Sequence, residues 1–289
     1  MSAHAEVAAP AARRLLRTPR FLRTARGKLG AAMLLFVLAV ALLGPLVAPH
    51  PLDQPVGVPG SPPGNGAPLG TDFLGRDVLS RVLHGGFSVL WLALVAVAIT
   101  YVVGMTIGMV AGLSRSRLDP ILMRSVDIFI VFPPLLLLLV LISGAGTSSL
   151  VLIVGIVLVM FPGVARLVRT ATLEVSTTSF IEAAVARGES TPAIMRREIL
   201  PNIAPSLIAD AGVRFLGAIF LTASLNFLGV GSQPPSANWG LMVAENRQVL
   251  ATNIWAVLAP ALMLALLTVS VNMIGDAYAH TLDRSGARR

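Results

Sequence analysis

Cysteine is absent from all 289 residues, so neither disulfides nor thiolate metal sites hold this chain together. Lysine is almost absent: Lys28 stands by itself, in Arg26-Gly27-Lys28-Leu29. A phosphate-binding loop needs Gly-Lys-Ser/Thr after an earlier glycine, so the chain has no such loop and is not expected to bind ATP or any other cofactor itself. The histidines, His4, His50, His84 and His280, are scattered without ligand spacing, which argues against a metal site. No Ser/His/Asp arrangement and no paired carboxylates in an outer cleft stand out, so an enzyme is not expected. Charge is scarce too. Charged residues make up 12% of the chain, about half the share usual in a soluble domain.

What fills the chain is apolar sequence, 55% of all residues. Runs of about 20 apolar residues cross a bilayer, and six are expected: Leu29–Ala48, Val89–Leu113, Val126–Ile142, Leu150–Ala165, Ile203–Val230 and Ile254–Ala279. The fold class is therefore all-α, a polytopic membrane protein. The third run is short and carries Pro133-Pro134, so a kink or break is expected there. The fifth is expected to break at its outer end, at Gly229 and Gly231 followed by Pro234-Pro235.

The net charge of +8 does not point to nucleic acid, because its distribution follows the spans. With the N-terminus inside, the inner segments hold 18 of the 22 basic residues, the outer segments hold Arg76, Arg81 and Arg247, and Arg214 lies within a span. Both termini are thus expected in the cytosol. Seven basic residues between Arg13 and Lys28 precede the first run. They are expected to meet anionic lipid headgroups, and with a full-length span behind them they do not read as a cleavable signal. The organisation is a basic tail (1–28), a first span with an outer loop (29–85), a five-helix core (86–280) containing a cytosolic loop (166–202), and a short cytosolic tail (281–289).

The most distinctive polar stretch is Ile181 to Asn202, IEAAVARGESTPAIMRREILPN. Ala183 and Ala184 leave a smooth helix face, Gly188 permits a backbone turn without a Cβ clash, and Pro201 opens the next segment. A helix-bend-helix on the basic side of a membrane protein has the shape of a plug for another protein's groove. This stretch resembles the EAA loop of ABC importer permeases. Two more stretches, LGTDFLGRDVLSRVLHGG from Leu69 to Gly86 and SLNFLGVGSQPPSANWG from Ser224 to Gly240, are in order and spacing similar to the C-type permease subunit of dipeptide/oligopeptide importers, a family that also includes nickel and glutathione permeases. The resemblance runs from about Arg20 to Tyr278. Asn226 departs from it where a serine is expected, and so does Arg187-Gly188-Glu189, where relatives carry a Leu-Gly-Ala type sequence.

The resemblance implies a type I ABC importer permease fold with six spans in a bacterial inner membrane. It implies a B-type permease as heterodimer partner, two cytosolic ATPases that bind ATP and Mg, and an extracytoplasmic binding protein that delivers the solute. Glu182, Ala183, Ala184, Arg187, Gly188, Leu200 and Pro201 would carry the ATPase contact. Peptides are the first solute class, with nickel, glutathione or haem as others. A stand-alone secondary transporter or channel is the rival class, and a membrane-bound hydrolase or scaffold the next.

Two readings stay open for each remaining group. Gly70, Thr71, Asp72, Gly75, Arg76 and Asp77 form either a turn before an interfacial helix, with Asp77 and Arg81 as an i,i+4 pair, or a contact for the binding protein or the pore mouth. Asp210 and Arg214 either satisfy each other within the fifth span or line the pore, and Asn226 is a further pore candidate. Asp127 and Asp276 are expected to anchor helix ends. Gly104, Gly108 and Gly112, spaced by four, read as close helix packing, with the partner permease one candidate for the facing helix. Trp239 and Trp255 suit an interfacial belt.

Overall fold

A computed structural model describes residues 24–64, 66–114, 117–231 and 236–286, with side chains to Ala277. Arg13, Arg14, Arg17, Arg20, Arg23, Arg115, Pro234, Pro235, Arg288 and Arg289 lie outside the described residues. Ten α-helices follow in order: α1 Ala25–Val47, α2 Val78–Leu113, α3 Leu118–Val131, α4 Pro134–Ala145, α5 Ser149–Ser176, α6 Ser179–Ala186, α7 Thr191–Ile194, α8 Leu200–Phe227, α9 Trp239–Glu245 and α10 Trp255–Gly286. Among the described residues, extended pairing is limited to three isolated bridges in the α1–α2 connection.

Five helical stretches are long and apolar enough to cross a membrane, and α3 with α4 makes a sixth, bent by 85° at its break. The break falls where the sequence placed it. Pro133 and Pro134 cannot donate to the helical ladder, and Phe132 before them is pushed into extended backbone. The fifth span also ends as expected, with α8 stopping at Phe227 and Gly229 turning the chain at φ +77°.

Helices α2 and α5 are longer than their apolar runs. Asp77 caps the start of α2, which then runs 36 residues, about 54 Å at 1.5 Å per residue. The expected interfacial helix is thus the first part of α2 itself, and the boundary drawn at residue 85 falls inside a helix. In the same way α5 continues past Ala165 to Ser176, so much of 166–202 is helix rather than loop.

The core is built on α2 against α5. Gly104, Gly108 and Gly112 do make a close helix contact, but within this chain. A Cβ on Gly104 would lie 2.7 Å from Val164 Cβ, one on Gly108 would lie 2.6 Å from the Ala165 carbonyl, and one on Gly112 would lie 2.8 Å from Thr172 Cβ. The helix they meet is α5 of the same chain, because small residues every fourth position admit whichever helix is nearest. Trp239 is likewise no belt residue. It is fully buried at the start of α9, its indole N–H donating to the Val82 carbonyl at 2.8 Å. Trp255, at the start of α10, is partly exposed.

Candidate functional site

The stretch after α5 builds a compact projection. Thr178 is extended and starts α6, with Glu182 in the first turn, where a carboxylate suits the helix dipole. Ile181 and Ala184 turn inward, into a cluster with Val164, Val168, Ile194, Ile199 and Ile203. The helix ends at Gly188, whose φ of +74° suits a residue without a Cβ. Its N–H bonds the Val185 carbonyl at 2.9 Å, and Glu189 N–H bonds the Ala184 carbonyl at 3.2 Å. Arg187 pairs with Glu189 at 2.6 Å across the turn.

The chain then returns through α7. Pro201 has no N–H to give, and the ladder just before it slips to i→i+5 over Met195–Ile199, with Leu200 N–H bonding Met195 O. The result is a projecting tip on a buried root. Glu182, Ala183, Arg187, Gly188 and Pro201 are exposed, Leu200 is half-buried against the root, and Ala184 is fully buried. Ala184 therefore supports the tip rather than facing outward, a correction to its expected contact role. Small size at this position serves the inward packing.

Within the span, Arg214 Nε donates to Asp210 Oδ2 at 3.0 Å. Sequence reading missed two neighbours. The Tyr101 hydroxyl of α2 donates to the same Oδ2 at 2.7 Å and lies 3.2 Å from the Leu207 carbonyl. Gly163 of α5 leaves room for the guanidinium, since a Cβ there would lie 2.6 Å from Nη1. Asn226 is fully buried, its amide donating to Asn238 Oδ1 at 2.8 Å. It ties the end of α8 to the start of α9, so it does not face a pore.

At the opposite end, Asp72 is completely buried and carries four hydrogen bonds. Its Oδ1 accepts from Leu74 N and Arg76 N, both at 2.8 Å, and its Oδ2 accepts from Arg76 Nε and Arg81 Nη1, both at 2.7 Å. Glu245 of α9 accepts from the same Arg81 Nη1 at 3.1 Å. The expected Asp77–Arg81 pair is not what forms. Asp77 spends its carboxylate on Leu79 N, Ser80 N and Ser80 Oγ as the cap of α2, and Arg81 turns to Asp72 and Glu245 instead. Thr71 Oγ1 donates to the Val58 carbonyl at 2.6 Å. Gly75, at φ +78°, passes so close to the Gly57 carbonyl that a Cβ would overlap it. Gly70, Thr71, Asp72, Gly75, Arg76 and Asp77 are all buried, which places the outer motif inside the fold as its organiser. Asn246 and Asn253, which sequence reading also missed, hold it from the far side through Phe73 N at 3.0 Å and the Leu69 carbonyl at 2.9 Å.

Residues 104–285 match the family described as binding-protein-dependent transport system inner membrane component. The chain belongs to this family. It is 35% identical over 266 residues to the di/tripeptide transport system permease protein DppC of Pseudomonas aeruginosa, covering 89% of this chain and 88% of that one. It is 36% identical over 222 residues to the probable D,D-dipeptide transport system permease protein DdpC of Escherichia coli, covering 77% and 74%. These relatives place the permease among the C-type subunits of dipeptide and oligopeptide ABC importers. Its fold matches a chain of the MetNI methionine ABC transporter, solved in inward-facing conformations, with a TM-score of 0.56 at 22% identity over 68% of this chain and 93% of that one. The permease is thus a multi-pass membrane protein with the ABC importer permease fold.

Proposed function

We propose that this permease is one half of the translocation path of a peptide importer and that the tip of α6 couples it to a cytosolic ATPase. The observation that carries this reading is the exposed set Glu182, Ala183, Arg187 and Gly188 standing on the buried root of Ile181, Ala184, Ile194 and Ile199. A rigid root lets a push on the tip reach α5 and α8 together. In this reading a B-type permease completes the path, two ATPases bind ATP and Mg and hydrolyse it, and an extracytoplasmic binding protein delivers the solute. Both termini and the α6 tip face the cytosol of a bacterial cell, as the distribution of basic residues supports. Dipeptides or longer peptides are the solutes, supported by what the relatives above are named for.

The chain's lack of cysteine gives a clean test. With Ala183→Cys, exposed on the tip, a short cross-linker in native membranes is expected to join the chain to an ATPase, and nucleotide should change the yield. Ala184→Cys, buried beneath it, should react far less. Failure of Ala183→Cys to cross-link, with the ATPases present and the permease well expressed, would favour a stand-alone transporter.

A further inference from the structure

Six buried side-chain nitrogen and oxygen atoms have no hydrogen-bond partner among the described residues, and four of them fall in one place, the ionic knot at the outer end. They are Arg76 Nη2, Arg81 Nε, Arg81 Nη2 and Glu245 Oε1. The side chains that carry them are 4%, 0% and 10% exposed. An unpaired polar group is most costly where bulk water is excluded. Four such atoms in one cluster call for a common partner.

Arg81 gives Nη1 to Asp72 Oδ2 at 2.7 Å and to Glu245 Oε2 at 3.1 Å. Its other edge, Nε beside Nη2, is a planar fork that presents two N–H groups in parallel. Arg76 gives Nε to Asp72, and its Nη2 lies 3.7 Å from Glu245 Oε2, beyond hydrogen-bond range. Glu245 uses Oε2 on this side and has Oε1 left over. The knot thus offers three N–H donors and one carboxylate acceptor.

Charge decides what can meet them. Asp72 and Glu245 balance Arg76 and Arg81, so an added ion would bring a buried charge with no counterpart. An anion has no proton to give Glu245 Oε1. A cation has no lone pair for the guanidinium N–H groups. Water has both. Room exists on the Glu245 side, where a cavity of about 320 Å³ is bounded by Asn226, Gly229, Leu241, Glu245 and Arg247, several times the volume one water needs.

We propose that the knot is a site for ordered water, with one molecule accepting from the Arg81 fork and donating to Glu245 Oε1. Helix α9 is then seated on the outer motif partly through solvent, beside the direct Arg81–Glu245 bond and the bond from Phe73 N to Asn246 Oδ1. The cavity beside Glu245 is the way by which this water exchanges with the outside. The site is independent of what the permease carries.

The test is a cryo-EM map of the assembled importer in nanodiscs, at a resolution that shows ordered water. A peak is expected within about 3.2 Å of Arg81 Nε and Nη2 and of Glu245 Oε1. Arg81→Lys keeps the charge but deletes the fork, and the peak should be lost. Arg247→Lys, on the cavity but outside the knot, should retain it. If Arg81→Lys does not assemble, Glu245→Gln serves instead, since water can donate to or accept from an amide and the peak should stay. Replacing chloride by gluconate at constant ionic strength should leave the unfolding temperature unchanged. A well-ordered Arg81 fork with no peak beside it overturns the inference. A peak accompanied by a fall in unfolding temperature on removing chloride also overturns it, in favour of an anion.

Discussion

Asp72 ties the turn before α2 together through four hydrogen bonds. Its carboxylate bonds two guanidiniums, Arg76 and Arg81, whose side chains are at most 4% exposed, and Glu245 supplies the second negative charge. Removing one partner of a buried ion pair leaves an uncompensated charge, at a cost of about 3–5 kcal/mol. Asp72→Asn is therefore expected to lower the unfolding temperature of the detergent-solubilised permease sharply. Asp77→Ala, which loses mainly a helix cap, should cost about 1 kcal/mol. Equal effects would contradict the division of labour between the two acids. The sequence marks both aspartates, but the i,i+4 rule assigns Arg81 to the wrong one. Spacing along a helix registers neighbours on that helix. It is blind to Glu245, which arrives from 164 residues away.

At the scale of elements, the glycine row on α2 sets how closely α5 can lie. Gly108→Val would drive side-chain atoms into the Ala165 carbonyl and Val168, at a cost of about 1–3 kcal/mol or more. Gly144→Ala on α4 meets nothing within 4 Å and should leave thermal unfolding unchanged. The pair of measurements separates close packing from a general dislike of added bulk. Spans, their number and the break at Pro133-Pro134 were legible because apolar length and missing N–H groups are local properties. The row Gly104-Gly108-Gly112 was legible as a contact but not as to its partner, since small residues welcome any helix. Trp239 looked interfacial because an indole suits that zone. Its burial depends on a carbonyl, Val82 O, that becomes available only when α2 and α9 are brought together. Helix α9 itself, seven residues between loops, carries too little periodicity to be read.

For the whole molecule, the α6 tip is the proposed point where force enters. Gly188→Pro removes an N–H bonded to Val185 and cannot adopt φ +74°. The expected outcome is an assembled importer in which ATP is still hydrolysed but the solute moved per ATP falls steeply, measured in proteoliposomes. Unchanged stoichiometry would remove the tip from the coupling path. The knot at the opposite end has a consequence of another kind, for the order in which the chain is made. Asp72, Arg76 and Arg81 leave the ribosome long before Glu245, Asn246 and Asn253, which complete their surroundings. During the synthesis of more than 160 residues the three early charges have to wait in water with α2 already inserted. A chain truncated before α9 thus displays an unfinished ionic patch that the complete chain conceals, a mark by which a membrane protease could tell the incomplete product from the finished one.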